Sequence, residues 1–115
     1  MSKSKFAKYN DGIIRIYREK QQRNNFGAKE NVSTLNDMTF VIRLDYEQVS
    51  KRQEDIEFVE QLGHSLTMKV KTRFIKNVDD KCKAVIDNFL YDVVYTDDDR
   101  KDMWLYLQGV RKLDT

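Results

Sequence analysis

The sequence predicts a mainly β fold, a small antiparallel β-barrel or sandwich with one short helix between its second and third strands. Three observations predict it. Short runs alternate apolar and polar residues with the two-residue period of a strand, polar turn residues separate these runs, and one segment breaks the period with a helix-start signature. With 115 residues there is room for one domain, because a domain needs roughly 100 to 150 residues to bury an adequate core.

The first strand is Ile13-Ile14-Arg15-Ile16-Tyr17, a β-branched and aromatic run that follows the turn pair Asp11-Gly12. Residues 18–36 are almost wholly polar, with Asn24, Asn25, Gly27, Asn31 and Ser33, and read as an exposed loop. Its length exceeds the usual connection, which points to function or mobility. Residues 1–10 read as a basic, flexible N-terminus. In the second strand Met38, Phe40, Ile42, Leu44 and Tyr46 alternate with Thr39, Val41, Arg43 and Asp45, so one face should be apolar throughout.

The period then changes. Ser50-Lys51-Arg52-Gln53 matches the S-x-x-Q capping box, Glu54 and Asp55 follow in the first turn, and Gly63 sits where a helix end wants a left-handed residue. A helix over about 51–62 is expected, with a narrow apolar stripe of Ile56, Val59 and Leu62 and Phe58 nearby. Beyond it His64, Leu66, Met68, Val70 and Phe74 point inward, with Thr72 as the one polar inward residue. Ser65, Thr67, Lys69, Lys71 and Arg73 face out. Lys83-Ala84-Val85-Ile86 and 90–95 flank Asp87-Asn88 and predict a tight hairpin. A second turn spans 96–101, and the last strand spans 102–110.

Several function classes lose their footing on composition. No apolar run approaches the roughly 18 to 20 residues of a membrane span, and the Met1-Ser2-Lys3-Ser4-Lys5-Phe6 start lacks the apolar core of a secretory signal, so a soluble cytoplasmic chain is expected. One Cys, Cys82, and one His, His64, supply neither an intramolecular disulfide nor a structural zinc site. Residues 1–30 carry eight Lys/Arg against three Asp/Glu, and residues 31–115 thirteen against sixteen. The slightly acidic body argues against tight nucleic-acid binding, which draws on unopposed cations. Hydrolysis needs a nucleophile, a base and an orienting group; His64, the lone imidazole, reads as a packed or interfacial side chain, and no phosphate-binding Gly loop is present. No catalytic, cofactor-binding or metal-ligating residue is assigned. Asp97, Asp98, Asp99 and Asp102 lack the Gly and Glu of a calcium loop and read as a polar turn.

Two patterns carry a possible function. Lys69, Lys71 and Arg73, with Lys76 beyond, form a basic stripe that could follow a phosphate backbone or be an ordinary solvated strand surface. In the last strands Met103, Leu105 and Leu107 face one way and Trp104 and Tyr106 the other, while Tyr91, Val93 and Tyr95 share a parity with Leu90 and Val94 opposite. Both sides are apolar. Either Tyr91, Tyr95, Trp104 and Tyr106 meet a neighbouring chain, or the strands are buried on both sides within the protomer.

In order and spacing, residues 38–113 resemble the head-tail joining proteins of tailed bacteriophages, also called head closure, stopper or head-tail adaptor proteins. The segments that carry the resemblance are Val41-Ile42-Arg43, the polar helix from Ser50, the strand Ser65-Leu66-Thr67-Met68-Lys69-Val70-Lys71-Thr72-Arg73, Leu90-Tyr91-Asp92-Val93 and Met103-Trp104-Leu105-Tyr106-Leu107. The resemblance implies a virion part without catalysis or cofactor. It would be a subunit of a ring, expected to be dodecameric, between a portal-bound adaptor and the tail completion protein, with the genome passing through its hole. It further implies that residues 47–63 face the lumen and close it after packaging, placing Gln48, Lys51, Arg52, Gln53, Glu54, Asp55, Glu57 and Glu60 on a mixed-charge channel wall. The polar loop and the basic N-terminus have no firm counterpart in the family pattern. The alternative is a small barrel that binds single-stranded nucleic acid through Lys69, Lys71 and Arg73.

Overall fold

The structure is a computed structural model that describes residues 9–19 and 38–113. The basic residues 1–8 and most of the long polar loop, residues 20–37, lie outside the described residues. Six strands and one helix follow in the order β1 (Gly12–Glu19), β2 (Met38–Val49), α1 (Gln53–Gln61), β3 (Met68–Arg73), β4 (Cys82–Ile86), β5 (Phe89–Asp98) and β6 (Asp102–Lys112). All pairings are antiparallel and close a barrel in the order β1-β2-β3-β6-β5-β4, with β4 returning to β1. A barrel therefore replaces the barrel-or-sandwich alternative. Among the described residues no helix is long and apolar enough to cross a membrane.

Alternation fills the interior. Ile14, Ile16, Leu44, Tyr46, Val70, Ala84, Ile86, Tyr91, Val93, Met103, Leu105 and Leu107 form one buried cluster, and Thr72 joins them fully buried. Its hydroxyl donates to the Arg73 carbonyl at 3.0 Å, which lets a polar side chain sit inside.

The second strand departs from its expected single face. Ile16 pairs with Ile42 but Tyr17 pairs with Phe40, so Val41 is an extra residue in β2. One extra residue reverses which face the following side chains take. Met38 accordingly packs in an outer cluster with Val85, Leu90, Leu113 and Tyr17, and Phe40 is 53% exposed against the edge of Tyr17.

The hairpin forms as expected. Ile86 pairs with Phe89, and Asp87 and Asn88 take positive φ of 50° and 69°, the conformation a two-residue turn of matching twist requires. Strand β1 extends through Arg18, which leaves the predicted loop to bond Asp79 at 3.0 Å.

Candidate functional site

The segment singled out by sequence, residues 47–63, crosses the outside of the barrel between β2 and β3. Helix α1 starts two residues later than the Ser50 signature predicts. Arg52 is the N-cap, and Asp55 reaches back to accept from its backbone N–H at 3.0 Å, while Ser50 lies outside the helix, between it and β2. The C-terminal expectation holds: the Gly63 N–H reaches the Glu60 carbonyl at 2.9 Å, and φ +87° at Gly63 turns the chain so that the His64 N–H reaches the Val59 carbonyl at 3.1 Å.

Side chains dock this helix. Val59 is buried with Leu66, Val94 and Tyr106, and Ile56, Phe58, Tyr95 and Trp104 pack around them. Phe58 sets its ring edge-on to Tyr95, 4.7 Å between centroids, and Tyr95 does the same with Tyr106 at 5.3 Å. The second apolar face of β5 and β6 is thus largely covered by the chain's own helix. Tyr106 lies beneath α1 and Tyr91 inside the barrel, at 6% and 8% exposure, so of the four aromatics expected at a protomer interface these two are used within the protomer. Tyr95 and Trp104 remain half-exposed. Leu66, expected inside the barrel, lies under the helix, and His64 is exposed rather than packed, because inward alternation begins only at Met68.

An ion pair lies within this apolar patch. Asp55 is 4% exposed and Lys69 7%. Asp55 Oδ2 accepts from Lys69 Nζ at 3.0 Å; Oδ1 accepts from Arg52 Nη2 at 3.1 Å and lies 3.5 Å from the Tyr106 hydroxyl. The Lys69 ammonium sits 5.0 Å from the Tyr106 ring centre, where the ring face attracts a cation. Burial pushes the Asp55 carboxyl up, but the bonds from Arg52 and Lys69 outweigh burial and hold it well below the usual carboxylate range.

This geometry revises two sequence expectations. Gln48, Lys51, Arg52, Gln53, Glu54 and Glu57 are exposed as a channel wall would need, but Asp55 faces the barrel as the helix's anchor. Lys51 and Arg52 precede the helix; Lys51 Nζ donates to the Thr67 carbonyl at 3.2 Å and Arg52 serves Asp55. Helix α1 itself exposes Glu54, Glu57 and Glu60 and contains no Lys or Arg, so its outer face is acidic rather than mixed.

The expected basic stripe is also largely neutralised. Lys69 is buried against Asp55. Lys71 lies 3.7 Å from Asp102 and 5.7 Å from the Trp104 ring centre, leaving Arg73 as the exposed member of the three. The acidic run forms a turn in which Asp98 Oδ1 accepts from Arg100 N–H, and Asp99 Oδ1 from the N–H groups of Lys101 and Asp102 at 2.9 and 2.7 Å. These bonds lower the Asp99 pKa. Cys82 is buried, and burial pushes its thiol up.

Sequence reasoning missed the joint made by Asp55, Lys69 and Tyr106. Its members lie 14 and 51 residues apart, and each has an ordinary local explanation. No protein-family model and no curated protein matches the chain.

Proposed function

We propose that this chain is a structural subunit of the head-tail connector of a tailed bacteriophage. It forms a ring between the portal-bound adaptor and the tail completion protein and helps close the DNA channel after packaging. Such a subunit assembles in the host cytoplasm, works in the virion neck and catalyses nothing.

The observation that carries most weight is the docked helix between β2 and β3. It is held on the barrel wall by a buried ion pair while Glu54, Glu57 and Glu60 face out. A wall along a DNA channel must pass the duplex without holding it, and carboxylates supply no counterion-releasing contact with phosphate. The placement of this helix agrees with the resemblance of residues 38–113 to head-tail joining proteins. The nucleic-acid alternative is weakened by the same geometry, because Lys69 and Lys71 already have carboxylate partners.

The test is phage assembly with Ile56→Pro. Proline there removes the Ile56 N–H bond to Arg52 and disrupts the helix at a cost of about 3 kcal/mol. The barrel is expected to fold while filled heads leak their DNA; normal genome retention despite a lost helix would refute the closure role. Necks that form normally without the chain would refute the connector role.

A further inference from the structure

The outer face of β1 and β2 contains an arrangement that folding alone does not favour. Arg15 and Arg43 pair directly across the two strands and both are exposed. Side chains directly opposite sit roughly 5 Å apart at Cβ, and like charges there repel. Among the described residues neither arginine has an ion-pair partner. Asp45, two pairs further along, forms an ion pair with neither among the described residues. Next to them lies the pair of Tyr17 and the exposed Phe40. The result is a basic and aromatic patch.

A second patch has the opposite charge. Around α1 and the far end of β5, half-exposed Tyr95 and Trp104 adjoin Phe58. Asp97 pairs across from Trp104 and is exposed. Glu54 lies four residues before Phe58, on the same side of the helix. Neither Glu54 nor Asp97 is in a salt bridge among the described residues, and the two cations beside them, Arg52 and Lys71, are paired with Asp55 and Asp102, which leaves the patch with a negative excess. In the closed order β1-β2-β3-β6-β5-β4, β1 stands opposite β6, so the two patches lie on opposite sides of the barrel.

We propose that these are the two halves of one interface, in which the Arg15, Arg43, Tyr17 and Phe40 face of one protomer docks on the Asp97, Glu54, Tyr95 and Trp104 face of a second copy. Opposite charge selects the second copy as the occupant, and placement on opposite sides makes the contact head-to-tail, the kind that closes into rings. The inference deepens the connector reading and rests on it for the ring, though not for the contact itself. It leaves the outermost helix positions, Glu57 and Glu60, free to face a lumen.

The test is sedimentation velocity of the full chain at low salt, with two charge-reversed variants whose fold is checked by circular dichroism. Wild type is expected to self-associate, and more weakly as salt rises. Arg15→Glu/Arg43→Glu and Asp97→Lys/Glu54→Lys should each weaken association roughly ten-fold or more. An equimolar mixture of the two should recover it, since each variant presents the charge the other now needs. If a charge-reversed variant misfolds, Arg15→Gln/Arg43→Gln should still weaken association. A wild type that stays monomeric at millimolar concentration, association unaffected by either variant, or no recovery on mixing would overturn the proposal. Single-stranded DNA binding that depends on Arg15 and Arg43, without self-association, would assign the face to a polyanion and overturn it as well. Necks that form normally without the chain would remove the connector reading and leave a verified contact standing; DNA leakage without the chain, with association indifferent to both variants, would remove only the contact.

Discussion

Asp55 is a helix residue by position and a core residue by environment. Removing its charge leaves the Lys69 ammonium buried without a counter-charge, so Asp55→Asn should cost about 3 kcal/mol in urea denaturation. Asp55→Leu with Lys69→Met removes both charges and should cost clearly less than Asp55→Asn alone, because the desolvation of the pair disappears with its attraction. The carboxyl is held below its unfolded pKa of roughly 4, so its contribution is complete above that pH and is lost as pH falls toward the folded value. The stability gap between wild type and Asp55→Asn should accordingly narrow between pH 7 and pH 3. None of this was legible in the residues alone. Asp55 looks like an acid opposing the helix dipole and Lys69 like a solvated strand cation; their meeting depends on how the helix lies over β3 and β6.

At the scale of elements, strands and turns were more legible than the helix start. The Asp87-Asn88 turn and the Gly63 helix end were readable because each depends on a backbone conformation that few residues adopt. Gly63 at φ +87° has open space where a Cβ would go, so Gly63→Ala should cost about 1 to 2 kcal/mol from backbone strain alone, measured by thermal or urea unfolding. The helix start was misread because Ser50 and Gln53 have the right spacing, yet Asp55 competes for the cap and is itself fixed by Lys69. The bulge at Val41 was equally hidden. Met38 and Phe40 continue the alternation in sequence, and only the pairing with β1 reveals the extra residue that turns them outward.

The barrel and its helix should differ in stability as a whole-molecule property. Backbone hydrogen bonds run continuously around the closed sheet, whereas α1 is attached through side chains and short connections. Helix amides at 56–61 should therefore exchange with solvent at lower free energy than those of β5 and β6, and Asp55→Asn should speed the helix without speeding those strands to the same degree. Hydrogen exchange read by NMR checks both statements.

Alternating polarity, turn residues and a helix-end glycine determine, from the sequence, that this chain is mainly β with one helix between its second and third strands, since these signals act within a few residues. Closure of the barrel, the meeting of Asp55 and Lys69 beneath the helix and the placing of two oppositely charged faces on opposite walls were decided only by the tertiary structure. Each depends on strands distant in the chain coming into register, and no local signal encodes which distant residue will stand opposite.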